Sequence, residues 1–170
     1  VANVTRLFES YQYGEAGRQV YDFFWSDFAD WYVEIAKLQL AEGGDRAFYT
    51  AYPLTRILDQ SLRLLHPFTP FVTEELWGHL RRAVLGTFGE VDSYGVSLTP
   101  LHADWKEALM ITPWPMPRPE EGWESAQVAE FNLVQEVVRA LRNLRSEKNV
   151  KPGKKLPAIL AAGERAGILQ

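Results

Sequence analysis

Cysteine is absent from the 170 residues, which excludes a disulfide scaffold, a thiolate metal site and a cysteine nucleophile. That fits a reducing compartment. Long apolar runs are missing too. None approaches the ~20 residues a membrane span needs, and the N-terminus lacks the basic-then-apolar pattern of a signal peptide, so no membrane partner is expected. No glycine-rich phosphate loop is present, because Gly86, Gly89 and Gly95 do not follow a strand and open a helix. No internal repeat is visible. What is present is ordinary for a folded domain: 46% hydrophobic and 24% charged residues, with a mean hydropathy of −0.21. A chain of this length can bury a sizeable core. Six tryptophans predict a bulky, ring-rich one.

The net charge of −4 hides an asymmetry. Residues 139–155 carry seven basic side chains against one acid, a net +6, while the other 11 bases and 21 acids leave the rest of the chain at −10. The seven are Arg139, Arg142, Arg145, Lys148, Lys151, Lys154 and Lys155. A sequence pI of 5.4 argues against a nucleic-acid partner, but a basic concentration on an acidic body makes that argument less clear.

The hydrophobic pattern is helical nearly throughout. Val1, Val4, Phe8 and Tyr11 read as the end of a helix, which Gly14 and Gly17 interrupt or loosen. From about residue 16 to 41, Val20, Phe24, Phe28, Trp31, Ile35 and Leu38 form one stripe. Tyr21, Trp25, Ala29, Tyr32 and Ala36 widen it into an arc that predicts cover from two sides. Gly43-Gly44 ends this helix. A second helix is expected over 46–65, with Pro53 in its first turn or kinking it. Thr69 can cap, and Pro70 start, a third that carries Val72, Leu76, Trp77 and Leu80 to about residue 83. Residues 84–123 lose the period and read as a long irregular connection. A last helix runs from Ser125 to about Lys148, with Phe131, Val134, Val138, Leu141 and Leu144 on its apolar face, before Pro152-Gly153 breaks it. Residues 156–161 read as a short strand. The expected fold is mainly α: an antiparallel bundle of four to five helices, with the long connection and the C-terminal strand. One core is expected to join Phe24, Phe28, Trp31, Leu58, Leu62, Leu65, Val72, Leu76, Val138 and Leu141. A lone strand and a first residue that is not Met suggest a piece of a longer protein.

Catalytic chemistry finds little support. His66, His79 and His102 share no metal-binding spacing, so capping or packing outweighs ligation. Asp22, Asp27, Asp30 and Glu34 fall on the polar flank of the aromatic helix, where a solvated face with a few ion pairs outweighs an acid/base pair. The aromatic stripe reads as core before it reads as a base-stacking platform. The last helix is more suggestive. Opposite its apolar stripe lie Asn132, Gln135, Arg139, Arg142, Asn143 and Ser146, amides and guanidinium groups that suit base edges and phosphates. The competing reading is a solvated surface whose cations sit near a helix C-terminus.

Several segments together resemble the C-terminal part of the valyl-tRNA synthetase family, among the class I aminoacyl-tRNA synthetases. They are Tyr13-Gly14-Glu15-Ala16-Gly17-Arg18, FFWSDFADWYVEIAK (23–37), LDQSLRLLHPFTPFVTEELW (58–77), ITPWP (111–115) and RALRNLRSEKNVKPGKK (139–155). The resemblance covers essentially the whole chain. Any one segment would also suit the isoleucyl and leucyl relatives, and a protein-interaction bundle is the alternative of another class. The resemblance implies an anticodon-binding domain over 1–149 and, over 150–170, the start of a segment leading toward a coiled-coil arm. It implies tRNA(Val) as partner, together with the catalytic and coiled-coil domains of the same parent chain, in the cytoplasm. The family's HIGH-like and KMSKS-like nucleotide signatures do not occur in these 170 residues. No cofactor and no catalytic or metal residue is therefore expected here, and ATP and magnesium belong to the parent enzyme. The expected nucleic-acid contacts are Arg139, Arg142, Asn143, Arg145, Lys148, Lys151, Lys154 and Lys155.

Overall fold

The computed structural model describes residues 1–87, 103–119, 121–151, 153–161 and 163. The chain divides into two compact units, Val1–Pro117 and Arg118–Gln170. In the first, α1 (Ala2–Glu9) packs on α2 (Tyr13–Asp22). A π-helical stretch, Phe23–Val33, carries α2 without a break into α3 (Glu34–Ala41). Gly43 and Gly44, with φ of 72° and 58°, reverse the chain in a conformation that residues with a Cβ avoid. The helix α4 (Gly44–Leu65) returns along α3, and α5 (Pro70–Thr87) packs on α4. Short connections between neighbouring helices are those of an antiparallel bundle. The second unit is built on α6 (Glu124–Glu147). No helix among the described residues is long and apolar enough to cross a membrane.

Several expectations are corrected in detail. The C-terminal strand is not seen. Residues 156–161 have no regular structure and are exposed, Ile159 at 98%, because a strand exists only when a neighbouring edge pairs its backbone. The glycines of α2 do not interrupt it: the helix runs through both, and Gly17 lets the Phe68 ring approach. Pro53 falls mid-way along α4 rather than in its first turn. The Thr69 hydroxyl donates back to the Leu65 carbonyl at 3.3 Å, and Pro70 opens α5 as expected.

The aromatic stripe changes phase inside the π stretch. Its i→i+5 hydrogen bonds put more residues in each turn than an α-helix holds. Neighbours on one face are therefore four apart: Phe24 packs on Phe28 (5.5 Å between ring centroids) and Phe28 stacks on Tyr32 (6.0 Å). Phe28 is buried and Trp31 half-buried, whereas Leu38, expected on the same stripe, is 72% exposed. Tyr21 and Trp25 are exposed as well, so the helix is not covered from two sides among the described residues. On α5 the buried face is Thr73, Trp77, Leu80 and Val84, and Val72 (62%) and Leu76 (43%) lie outside it.

The single expected core is two clusters in the first unit. One joins Leu62, Trp77, Leu80, Val84 and Leu109, with Tyr52, Leu58 and Trp105 against it. The other joins Val4, Leu7, Ala16, Val20 and Leu64, with Phe8, Leu65, Phe68 and Trp114 against it. Val138 and Leu141 belong to α6 in the second unit, where both are half-buried.

Candidate nucleic-acid interface

Residues 103–117, inside the long irregular connection, form an ordered strap over the first unit. A short 3-10 turn, Leu109–Ile111, is its only regular element among the described residues. Glu74 of α5 accepts from the Leu109 and Met110 amides at 2.8 and 3.3 Å. The Trp77 indole donates to the Lys106 carbonyl at 3.2 Å, and Arg81 donates to the Glu107 carbonyl at 3.1 Å. Trp114 donates to the Thr5 hydroxyl at 2.8 Å and packs edge-on against Phe8.

The strap's charged anchor is Arg63. Its side chain is buried on α4 and lies over the Trp77 ring at 5.7 Å. It donates to Asp59 one turn earlier (2.8 Å), to both carboxylate oxygens of Asp104 (2.6 and 2.9 Å) and to the Pro113 carbonyl (3.0 Å). The hydrogen bond from Arg63 holds the Asp104 carboxyl below the usual carboxylate range. Burial pushes Asp59 the other way, up, against the pull of the same guanidinium. The Asp59–Arg63 spacing of four, inside a run of leucines, was a readable sign of a buried pair. Asp104, 41 residues on, was not.

In the second unit, α6 is closed at both ends by local chemistry. Glu124 accepts from the backbone amides of Glu121 and Gly122, both at 2.7 Å, and these bonds lower its pKa. At the other end Asn149 adopts φ 49°; the Val150 amide reaches the Arg145 carbonyl at 2.9 Å, and the Asn149 amide reaches that of Ser146 at 3.0 Å. That left-handed closure satisfies the last carbonyls of the helix. The helix thus stops before Pro152-Gly153, where the break was expected; Pro152 lies outside the described residues.

The eight expected contact residues gather along and just beyond this helix end. Arg139, Arg142 and Asn143 are exposed on α6, and Lys148, Lys151, Lys154 and Lys155 are exposed after it. None of the four lysines forms an ion pair among the described residues. Arg145 is partly engaged by the chain itself. Its Nη2 donates to the carbonyls of Lys151 (3.4 Å) and Lys154 (3.0 Å), drawing the lysine-bearing turn against the helix end. Gln135, expected on the amide-rich face, is 6% exposed and so leaves that face, while Leu144, expected on the apolar one, is exposed.

The remaining candidates behave as structural residues. His66 pairs with the Thr73 hydroxyl at 2.8 Å, and His79 sits between Glu75 and Arg82. His102 lies outside the described residues. Asp22 and Glu34 make exposed ion pairs with Arg18 and Lys37. Among the described residues, no three His, Asp or Glu side chains converge as metal ligands.

Sequence comparison adds a family to this geometry. A "Valine--tRNA ligase" of Dehalococcoides mccartyi (strain CBDB1) is 40% identical over 169 residues, 99% of this chain. Those of Geobacillus stearothermophilus and Bacillus anthracis are 37% and 36% identical, each across the whole chain. The chain spans 17% of the length of each of these relatives. Residues 1–160 match the family described as the anticodon-binding domain of tRNA ligase. That match takes in the helical unit, the strap and the basic end of α6 alike, so the chain belongs to the anticodon-binding domain family of tRNA ligases.

Proposed function

We propose that this chain is the anticodon-binding module of a valine–tRNA ligase. It holds tRNA(Val) for aminoacylation by a catalytic domain elsewhere in the same parent chain, in the cytoplasm. ATP and magnesium belong to that domain, and the segment from residue 150 leads toward a coiled-coil arm. The observation that carries the reading is the lysine cluster at the end of α6, which has no ion pair among the described residues, within a chain similar throughout to valine–tRNA ligases. Lys148, Lys151, Lys154 and Lys155 can neutralise phosphates without breaking an existing ion pair, and Arg139 and Arg142 extend the same basic surface along the helix. Arg145 acts more through position, by fixing the lysine-bearing turn. Asn143 supplies an exposed amide capable of a base or sugar contact.

The test is the affinity of the full-length ligase for tRNA(Val), and for a tRNA with another anticodon, with and without Arg142→Ala, Lys148→Ala and Lys151→Ala. The lysine variants should bind both tRNAs more weakly. Unchanged affinity in all three variants overturns the contact.

A further inference from the structure

The aromatic arc of the α2–α3 helix is wider than one neighbour can bury, and part of it stands in solvent. Phe28 is buried, while Tyr21 and Trp25, four residues apart, are 57% and 52% exposed with their rings in contact at 6.1 Å. Phe23 is exposed beside them. On the adjoining face Asp22, Ser26 and Asp30, again four apart, are exposed, and so is Asp27. Arg18 already pairs with Asp22, whereas Asp27 and Asp30 have no ion pair among the described residues. This surface lies where α2 passes into the π stretch, a backbone form that is rare and recurs at functional sites. Tryptophan and tyrosine are the side chains that protein interfaces bury at their centres, inside a charged rim.

We propose that this face is the docking seat for an arginine- or lysine-bearing surface on another domain of the parent ligase. The inference rests on the proposed function, which puts the catalytic domain elsewhere in one longer chain; this chain spans 17% of the length of its relatives. Charge selects the occupant. Carboxylates at Asp22, Asp27 and Asp30 repel RNA phosphates, so tRNA is the wrong partner for this face. A guanidinium, by contrast, lies over an indole ring and pairs with a neighbouring carboxylate at the same time. The basic window at 139–155 has the right sign but is assigned to tRNA. Aromatic anchors among acids also match the mixed composition of interfaces between domains of one chain, which are more polar than those of obligate oligomers. Docking there fixes the tRNA-holding module against the rest of the ligase.

The test uses the full-length ligase. A benzophenone side chain placed at Tyr21 should crosslink, on irradiation, to a peptide that carries arginine or lysine and lies outside residues 1–170. Asp30→Lys should lower aminoacylation efficiency by about tenfold, with valine-dependent ATP–pyrophosphate exchange and the melting temperature unchanged. Replacing the crosslinked cation by glutamate should restore the Asp30→Lys variant, because the two charges are then exchanged across one contact. A crosslink to tRNA, to residues 139–155 or to a second copy of the ligase overturns the assignment, and so does the absence of any crosslink. Full aminoacylation by Asp30→Lys overturns it as well. If the docking fails in these ways while Lys148→Ala still weakens tRNA binding, the tRNA-binding function stands. If Arg142→Ala, Lys148→Ala and Lys151→Ala also leave tRNA affinity unchanged, both fail.

Discussion

At the scale of single residues, a few side chains carry more than their share of the first unit. Trp77 is fully enclosed, its ring beneath Arg63 and against Trp105 at 4.8 Å. Trp77→Ala should cost about 3–5 kcal/mol in urea denaturation. Trp31, half-buried in the π stretch, should lose about half as much by the same cavity argument; equal losses would show Trp31 to be as enclosed as Trp77. Gly17 is held small by packing. A Cβ there would stand 3.0 Å from the Phe68 ring, which is itself packed on Phe8. Gly17→Ala gains about 1 kcal/mol of helix propensity but overpacks a site where ~1–3 kcal/mol is the usual cost. A small net loss of stability is expected. Gly14→Ala, with nothing within 4 Å of the new Cβ, should gain. Stabilisation at both positions would mean that Phe68 gives way freely.

At the scale of elements, the strap's charged anchor is an ion pair reaching across 41 residues of sequence. Asp104 has a folded pKa below its unfolded value, so its contribution is present at neutral pH and is lost as pH falls through that lowered value. Asp59 acts in the opposite sense: burial raises its pKa, and acid relieves the penalty on its charge. The stability difference between the unaltered protein and Asp104→Asn should therefore hold from pH 7 down to about 5 and shrink below about 4, in the range where aspartates protonate. A difference that stays constant from pH 7 to 3 would show that charge does not hold the strap. Helix existence was legible at this scale; helix phase was less so. A 3.6-residue period puts Leu62 inward on α4 and Trp77 and Leu80 inward on α5, as found, but it misplaces Leu38 after a π stretch and adds Val72 and Leu76 on α5, where Thr73 and Val84 complete the buried face. Apolar side chains mark a helix face only to within a residue or two. The partner helix selects among the overlapping stripes.

At the scale of the whole molecule, the proposed tRNA contact rests on the charge asymmetry. An acidic body repels phosphate, and the +6 window at 139–155 overcomes that only locally. If three or four phosphates are engaged there, log K for tRNA should fall against log[salt] with a slope of about −2 to −4. Lys148→Ala and Lys151→Ala should each flatten that slope by about one unit while weakening all tRNAs alike. A variant at Arg142 or Asn143 that instead loses discrimination between valine and other anticodons would mark a base contact. Salt titrations of the full-length ligase separate these outcomes, and a slope near zero would remove the basic window from the interface.

Legible in the residues alone were the helical class, the helix end at Gly43-Gly44, the opening of α5 at Pro70 and the basic window at the end of α6. Each depends on residues close together in the chain, where spacing, turn chemistry and charge act locally. Only the fold could settle that Arg63 binds Asp104 and that the strap lies over Trp77. It also left residues 156–161 without a strand. Those outcomes depend on which distant backbone arrives beside a side chain, and a buried ion pair or a paired edge forms only when that partner arrives.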